Sequence, residues 1–131
     1  LGSSIAGVVI FDQGAPAAKT TSATLTAAEV LTGIVTGNQG GAASAAYQLP
    51  LATDLVAALP ADAWGDDKMF KFTVINLSTV AAETVTLTTN TGWTLVGKMV
   101  MEANTGTSPV PSGLFGVRQT GAGALTLYRL G

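Results

Sequence analysis

The chain reads as an all-β domain, a small antiparallel β-sandwich or barrel with one or two short helices. Three observations predict this. Apolar residues alternate at period two in the second half, where Phe70, Phe72 and Val74 share one face and Val85 and Leu87 alternate with Thr84, Thr86 and Thr88. Turn signals punctuate these runs at Asn90-Thr91-Gly92 and Gly121-Ala122-Gly123. No helical pattern of about 10–15 residues, the usual crossover between parallel strands, lies between them.

Taken in order, residues 5–11 predict a first short strand, weakened by Gly7 and closed by Asp12-Gln13-Gly14. Residues 14–22 are a small-residue arm around Pro16, with too little apolar surface to fold alone. A strand end is expected at 22–25. Thr26-Ala27-Ala28-Glu29 has capping-box spacing, which predicts one or two helical turns through Leu31, ended by Gly33. Ile34-Val35 is too short to classify, and residues 37–41 form a glycine-rich loop.

Ala45, Tyr47 and Leu49 alternate as in a strand stopped by Pro50, and Leu55, Val56 and Leu59 share a stripe of a short helix that Pro60 terminates. After a polar loop at 62–67 that carries Trp64, successive antiparallel strands are expected at 69–77, 83–89, 94–101, 114–120 and 124–130.

Composition narrows the chemistry. The 131 residues suit one domain and contain neither histidine nor cysteine, which removes imidazole bases, thiol nucleophiles, disulfides and the usual zinc ligand sets. Only six basic and eight acidic residues are present, a low share of charge that fits either a neutral Thr/Ser/Asn surface that needs no partner or a surface covered by other protein. A net charge of −2 and the absence of a Lys/Arg cluster argue against a nucleic-acid partner. No apolar run reaches membrane-spanning length, and the apolar stretch LGSSIAGVVIF lacks the basic leader of a secretory signal.

The remaining constellations point away from catalysis. Asp62, Asp66 and Asp67 offer hard oxygen ligands for calcium but lack the alternation of an EF-hand loop, so they read as a solvated turn. Glu83 and Glu102 are the only sheet-associated candidates for a paired-carboxylate hydrolase and read as surface residues at strand ends. Serine and threonine have no base to activate them, and Gly37, Gly40 and Gly41 lack the lysine of a phosphate loop. Trp64, Tyr47, Trp93 and Tyr128 are candidates for a sugar-stacking platform. Asn76-Leu77-Ser78 fits the glycosylation pattern only formally. No catalytic residue, metal site or cofactor is expected. The ladder Thr84, Thr86, Thr88 builds an uncharged outer face able either to meet water or to pack against another subunit.

TVINLSTVAAETVTLTTNTGWTLVGKMVM, followed by GLFGVRQTGAGALTLYRLG and preceded by LTAAEVLTGIVTGNQGGAASAAYQLPLATDLVAALP, resembles the small β-rich structural domains of tailed-bacteriophage virions. The likeness is to capsid decoration (cement) proteins and related head-fibre or tail-fibre modules, and spans about 24–130. It implies a non-enzymatic protein on the outer surface of the icosahedral capsid that binds the major capsid protein as a homotrimer, without nucleic acid or membrane. Residues 1–22 would be the N-terminal strand and capsid-contacting arm, and 23–131 the β domain that trimerises. A fibre or tail-associated module and a carbohydrate-binding module are the alternatives.

Overall fold

The computed structural model describes residues 3–5, 7–10, 12–41, 44–107 and 110–131. Its first strands, β1 (Ser3–Ile5) and β2 (Val8–Ile10), form an antiparallel hairpin that reverses through Gly7 at a φ of 83°. The strand expected over 5–11 is thus a hairpin, with residues 6 and 11 outside the described set.

From there the chain runs through β3 (Ala17–Lys19), β4 (Ala23–Thr24), α1 (Ala27–Leu31), β5 (Ile34–Gly37), β6 (Ala45–Gln48) and α2 (Ala52–Ala58). It continues through β7 (Met69–Asn76), β8 (Val85–Thr88), β9 (Trp93–Val96), β10 (Val100–Met101), β11 (Ser112–Gly121) and β12 (Ala124–Arg129).

Two sheets enclose the core, one ordered β3-β5-β7-β11-β12-β9 and the other β10-β8-β6-β4. From β3 to β10 each strand lies in the sheet opposite its predecessor. Strands two apart in the chain therefore become neighbours and run parallel: β3 with β5, β5 with β7, β4 with β6, and β6 with β8. β9 also runs parallel to β12, while β7–β11, β11–β12 and β8–β10 are antiparallel.

This overturns the expected all-β antiparallel sandwich or barrel. The domain is mixed α/β, with two mostly parallel sheets and two helices that contribute to the core. The physical reason lies in the crossovers. A parallel pair needs a connection that returns the chain to the same end, and here a strand of the facing sheet makes much of that return trip. The pattern stays at period two, without the long helix that would announce a crossover.

Local details follow from the same routing. Asn90-Thr91-Gly92 carries the chain between sheets, from β8 to β9, and does not close a hairpin. Gly92 has a φ of 91°, and a Cβ there would lie 2.5 Å from the Gly123 carbonyl oxygen and 2.6 Å from the Ala52 Cβ. The single strand expected at 94–101 is broken at Gly97, φ 98°, into β9 and β10 in opposite sheets. Ile34-Val35 belongs to β5, which is flanked on both sides. The β11–β12 hairpin forms as predicted.

The core draws on both sheets and both helices. Phe72 and Phe115 are register partners whose rings stack 5.6 Å apart, Val35, Leu87 and Leu127 fill around them, and Val30 of α1 and Leu55 of α2 are fully buried. Trp93 is buried with its indole N–H donating to the Pro50 carbonyl at 2.6 Å. Arg129 closes one end of the sandwich: its guanidinium donates to the carbonyls of Lys98, Val100, Ser112 and Gly131 and lies 5.4 Å from the Phe115 ring centroid.

Tyr47 is completely buried, and its hydroxyl has no hydrogen-bond partner among the described residues. It fits only because Gly37 opposes it, since a Cβ at 37 would collide with the Tyr47 oxygen. Burial holds the phenol above its ordinary pKa of 10.0.

Tyr47→Phe is expected to leave stability unchanged or raise it by about 1 kcal/mol by removing an unpartnered polar group. Gly37→Ala should lower the urea midpoint, and by less in the Tyr47→Phe background. A raised native pKa gives stability that is present below 10.0 and lost as pH rises through the native value. The alkaline fall in melting temperature should therefore flatten in Tyr47→Phe.

Candidate functional site

The parallel strands β4, β6 and β8 all end on the same side of their sheet, and a hollow of about 780 Å³ opens there. One wall is the β4–α1 turn, residues 24–28; another is Pro50, Leu51 and Asp54 leading into α2; Asn90, after β8, completes it. The sequence shapes both walls locally. Thr26 caps α1 by accepting from the Glu29 N–H at 3.1 Å, while Glu29 accepts from the Thr26 N–H at 2.9 Å, as the capping-box spacing predicts. Glu29 also pairs with Lys19 of β3. Burial pushes the Glu29 carboxyl upward, but the Lys19 and Thr26 contacts outweigh it and hold its pKa below the ordinary 4.5. On the second wall, Asn90 donates to the Leu49 carbonyl at 3.0 Å, and Leu51 remains exposed at the rim.

The outward face of the four-stranded sheet adjoins this hollow through Thr24. Burial alternates along β6 and β8, so Ala46, Gln48, Thr86 and Thr88 point away from the core. No ionisable side chain stands among them. Thr24 donates to the Gln48 side chain at 2.8 Å, Gln48 donates to the Thr89 carbonyl at 3.3 Å, and the Ala46 N–H donates to the Ser22 hydroxyl at 3.0 Å. Thr24 and Gln48 thus have partners within the chain, which lowers the cost of drying them against another surface.

The outward face of the six-stranded sheet differs. Met69, Leu114 and Leu130 are exposed there, and a Cβ on Gly116 would meet Met69 Sδ at 3.0 Å and Leu130 Cδ1 at 3.1 Å. Lys71 and Arg118 lie on this side. Arg118 pairs with Asp67, and contacts to Tyr128 and then Asp67 hold its guanidinium above the ordinary pKa.

The acids singled out in the sequence do not converge. Asp66 accepts from the Gln119 amide at 2.9 Å, Asp67 pairs with Arg118, and Asp62 is an exposed turn residue. No group of three or more histidine, cysteine, aspartate or glutamate residues able to hold a metal occurs among the described residues. Glu83 is 1% exposed, not a surface residue; the Gly41 N–H donates to it at 3.3 Å. Glu102 instead pairs with Lys98 at 3.5 Å.

The four aromatic candidates are also dispersed. Tyr47 and Trp93 belong to the core, whereas Trp64 packs edge-on against Phe70 and donates to Gln119 at 2.7 Å. Tyr128 is half-buried on the outer face of the six-stranded sheet. They form no shared stacking platform. Asn76 of the glycosylation pattern is fully buried, its amide donating to the Glu83 and Met101 carbonyls.

Two features escaped sequence reasoning. The hollow unites positions 24, 50 and 90, which no local pattern connects. The Met69, Leu114 and Leu130 patch had a legible signal, since these apolar residues occupy alternate positions to the core-facing Phe70, Phe115 and Arg129.

Residues 17–19 and 23–24, which fall in or beside the expected arm, lie in sheet edges as β3 and β4. No helix among the described residues is long and apolar enough to cross a membrane. Comparison of the chain with protein-family models, with curated proteins and with solved structures finds no match in any of the three.

Thr26→Ala is expected to cost about 1 kcal/mol in denaturant titration through loss of the α1 cap. A lowered carboxyl pKa gives stability that is present above 4.5 and lost as pH falls through the native value. Lys19→Ala should therefore flatten the acid limb of the melting temperature plotted against pH.

Proposed function

We propose that this chain is a virion structural protein that decorates an icosahedral capsid, binding the major capsid protein on the outer surface as a homotrimer and stabilising the shell. The observation that carries this reading is the outward face of the four-stranded sheet, where Thr24, Ala46, Gln48, Thr86 and Thr88 carry no charge and Thr24 and Gln48 are hydrogen-bonded to each other. Such a face meets water adequately and meets protein without burying an ion.

Other features favour binding over catalysis. The chain has no histidine or cysteine, and its most central acid, Glu83, is buried beneath the Gly41 backbone. The resemblance to decoration proteins supplies the partner class and the three-fold arrangement. A ring of three copies presents three equivalent faces at once, so modest individual contacts multiply into firm attachment. The uncharged face beds against the shell.

Light scattering of the purified protein should give a trimer mass, and the trimer should co-sediment with DNA-filled heads of the phage that encodes it. Thr86→Lys combined with Thr88→Lys should retain the circular dichroism spectrum and lose at least tenfold in head binding. A monomer that does not sediment with heads would overturn the proposal.

A further inference from the structure

Two surfaces of the chain match each other in chemistry. The hollow beside α2 is apolar, has the exposed Leu51 at its rim and carries Asp54. The outer face of the six-stranded sheet is also apolar, through Met69, Leu114 and Leu130, and carries Lys71. The ion pairs among the described residues are Lys19–Glu29, Lys98–Glu102 and Arg118–Asp67, and Asp54 and Lys71 are among the charged side chains that form none there.

We infer that the hollow receives the Met69–Leu114–Leu130 face of a second copy of this chain, with Asp54 of one copy facing Lys71 of the next. This assignment rests on the trimer reading above and specifies its contact. An unpaired acid and an unpaired cation, each set in exposed apolar surface, gain from meeting because drying the surrounding groups strengthens their attraction.

The contact is head-to-tail, since the two surfaces differ. One lies at the strand ends of the four-stranded sheet and the other on the broad face of its partner sheet, so they are not opposite each other. Repeating the contact therefore turns the chain about an axis, the condition for a closed ring. Of the uncharged face only Thr24 lines the hollow, so Ala46, Gln48, Thr86 and Thr88 stay available for the shell. The hollow's volume, about 780 Å³, lies in the range that accommodates drug-sized apolar groups.

A charge-swap experiment tests the pairing. Asp54→Lys and Lys71→Asp should each raise the trimer dissociation constant at least tenfold in concentration-dependent light scattering, and the double variant should recover the wild-type mass. Mixing the two single variants should give open dimers and no closed trimer, because two variants cannot alternate around a ring of three. Both side chains are exposed, and an unchanged circular dichroism spectrum excludes misfolding; Leu51→Ser and Leu130→Ser probe the apolar part independently.

If the wild type is a trimer and neither charge reversal changes its mass, the inference fails while the trimer reading stands. If the wild type is a monomer at every concentration, both fail.

Discussion

One buried amide holds the two sheets at a fixed offset. Asn76, at the end of β7, donates to the carbonyls of Glu83 at 2.8 Å and Met101 at 3.1 Å, both belonging to segments of the facing sheet, and accepts from the Ser78 N–H at 3.0 Å. Ser78 in turn bonds the side chain of Gln39, and Gln39 reaches the Thr84 carbonyl at 3.4 Å. The chain must turn between layers here, so backbone carbonyls point inward where no ladder can satisfy them. Each one orphaned would cost about 1–3 kcal/mol, which explains why a fully buried polar residue stands at the end of an otherwise apolar strand face.

That node also marks how far the sequence could be read. The alternation of Phe70, Phe72 and Val74 continues to Asn76, and the face these residues share is the one buried. Val85 and Leu87 face inward, and the Thr26–Glu29 box caps a helix where its spacing said it would. Periodicity reveals which side of a strand is dry. It is silent on which strand lies beside it.

Antiparallel neighbours were inferred because turns followed strands, yet Asn90-Thr91-Gly92 bridges layers, and Ile34-Val35, too short to classify alone, became part of an interior strand through its partners. Of the candidate surfaces, the threonine ladder was legible because it lies within one strand. The hollow was not, because three strand ends from distant parts of the chain define it.

The two broad faces differ in chemistry, and the proposed assembly would use them for different contacts. One face carries Gln48, Thr24, Thr86 and Thr88 without a charge, with Thr24 bonded to Gln48. The other face mixes exposed methionine and leucine with fixed charge, which favours one partner and one register. The proposed assembly would place its contacts between copies and its contacts to the shell on these separate chemistries.

The strand order β3-β5-β7-β11-β12-β9 has a consequence for how the chain reaches this state. β11 and β12 follow β1 to β10 in the chain, but they lie inside the six-stranded sheet, and β9 has no neighbour there until β12 arrives. During synthesis the earlier segments can coil into stacked parallel turns while β9 waits with Trp93 unplaced. Completion is then a late insertion that brings distant segments together in one step, the kind of closure that slows folding and couples the whole domain to its final hairpin. A ribosome-bound chain lacking that hairpin would expose β7 along its entire edge, a period of vulnerability to mispairing that ends only when the hairpin docks.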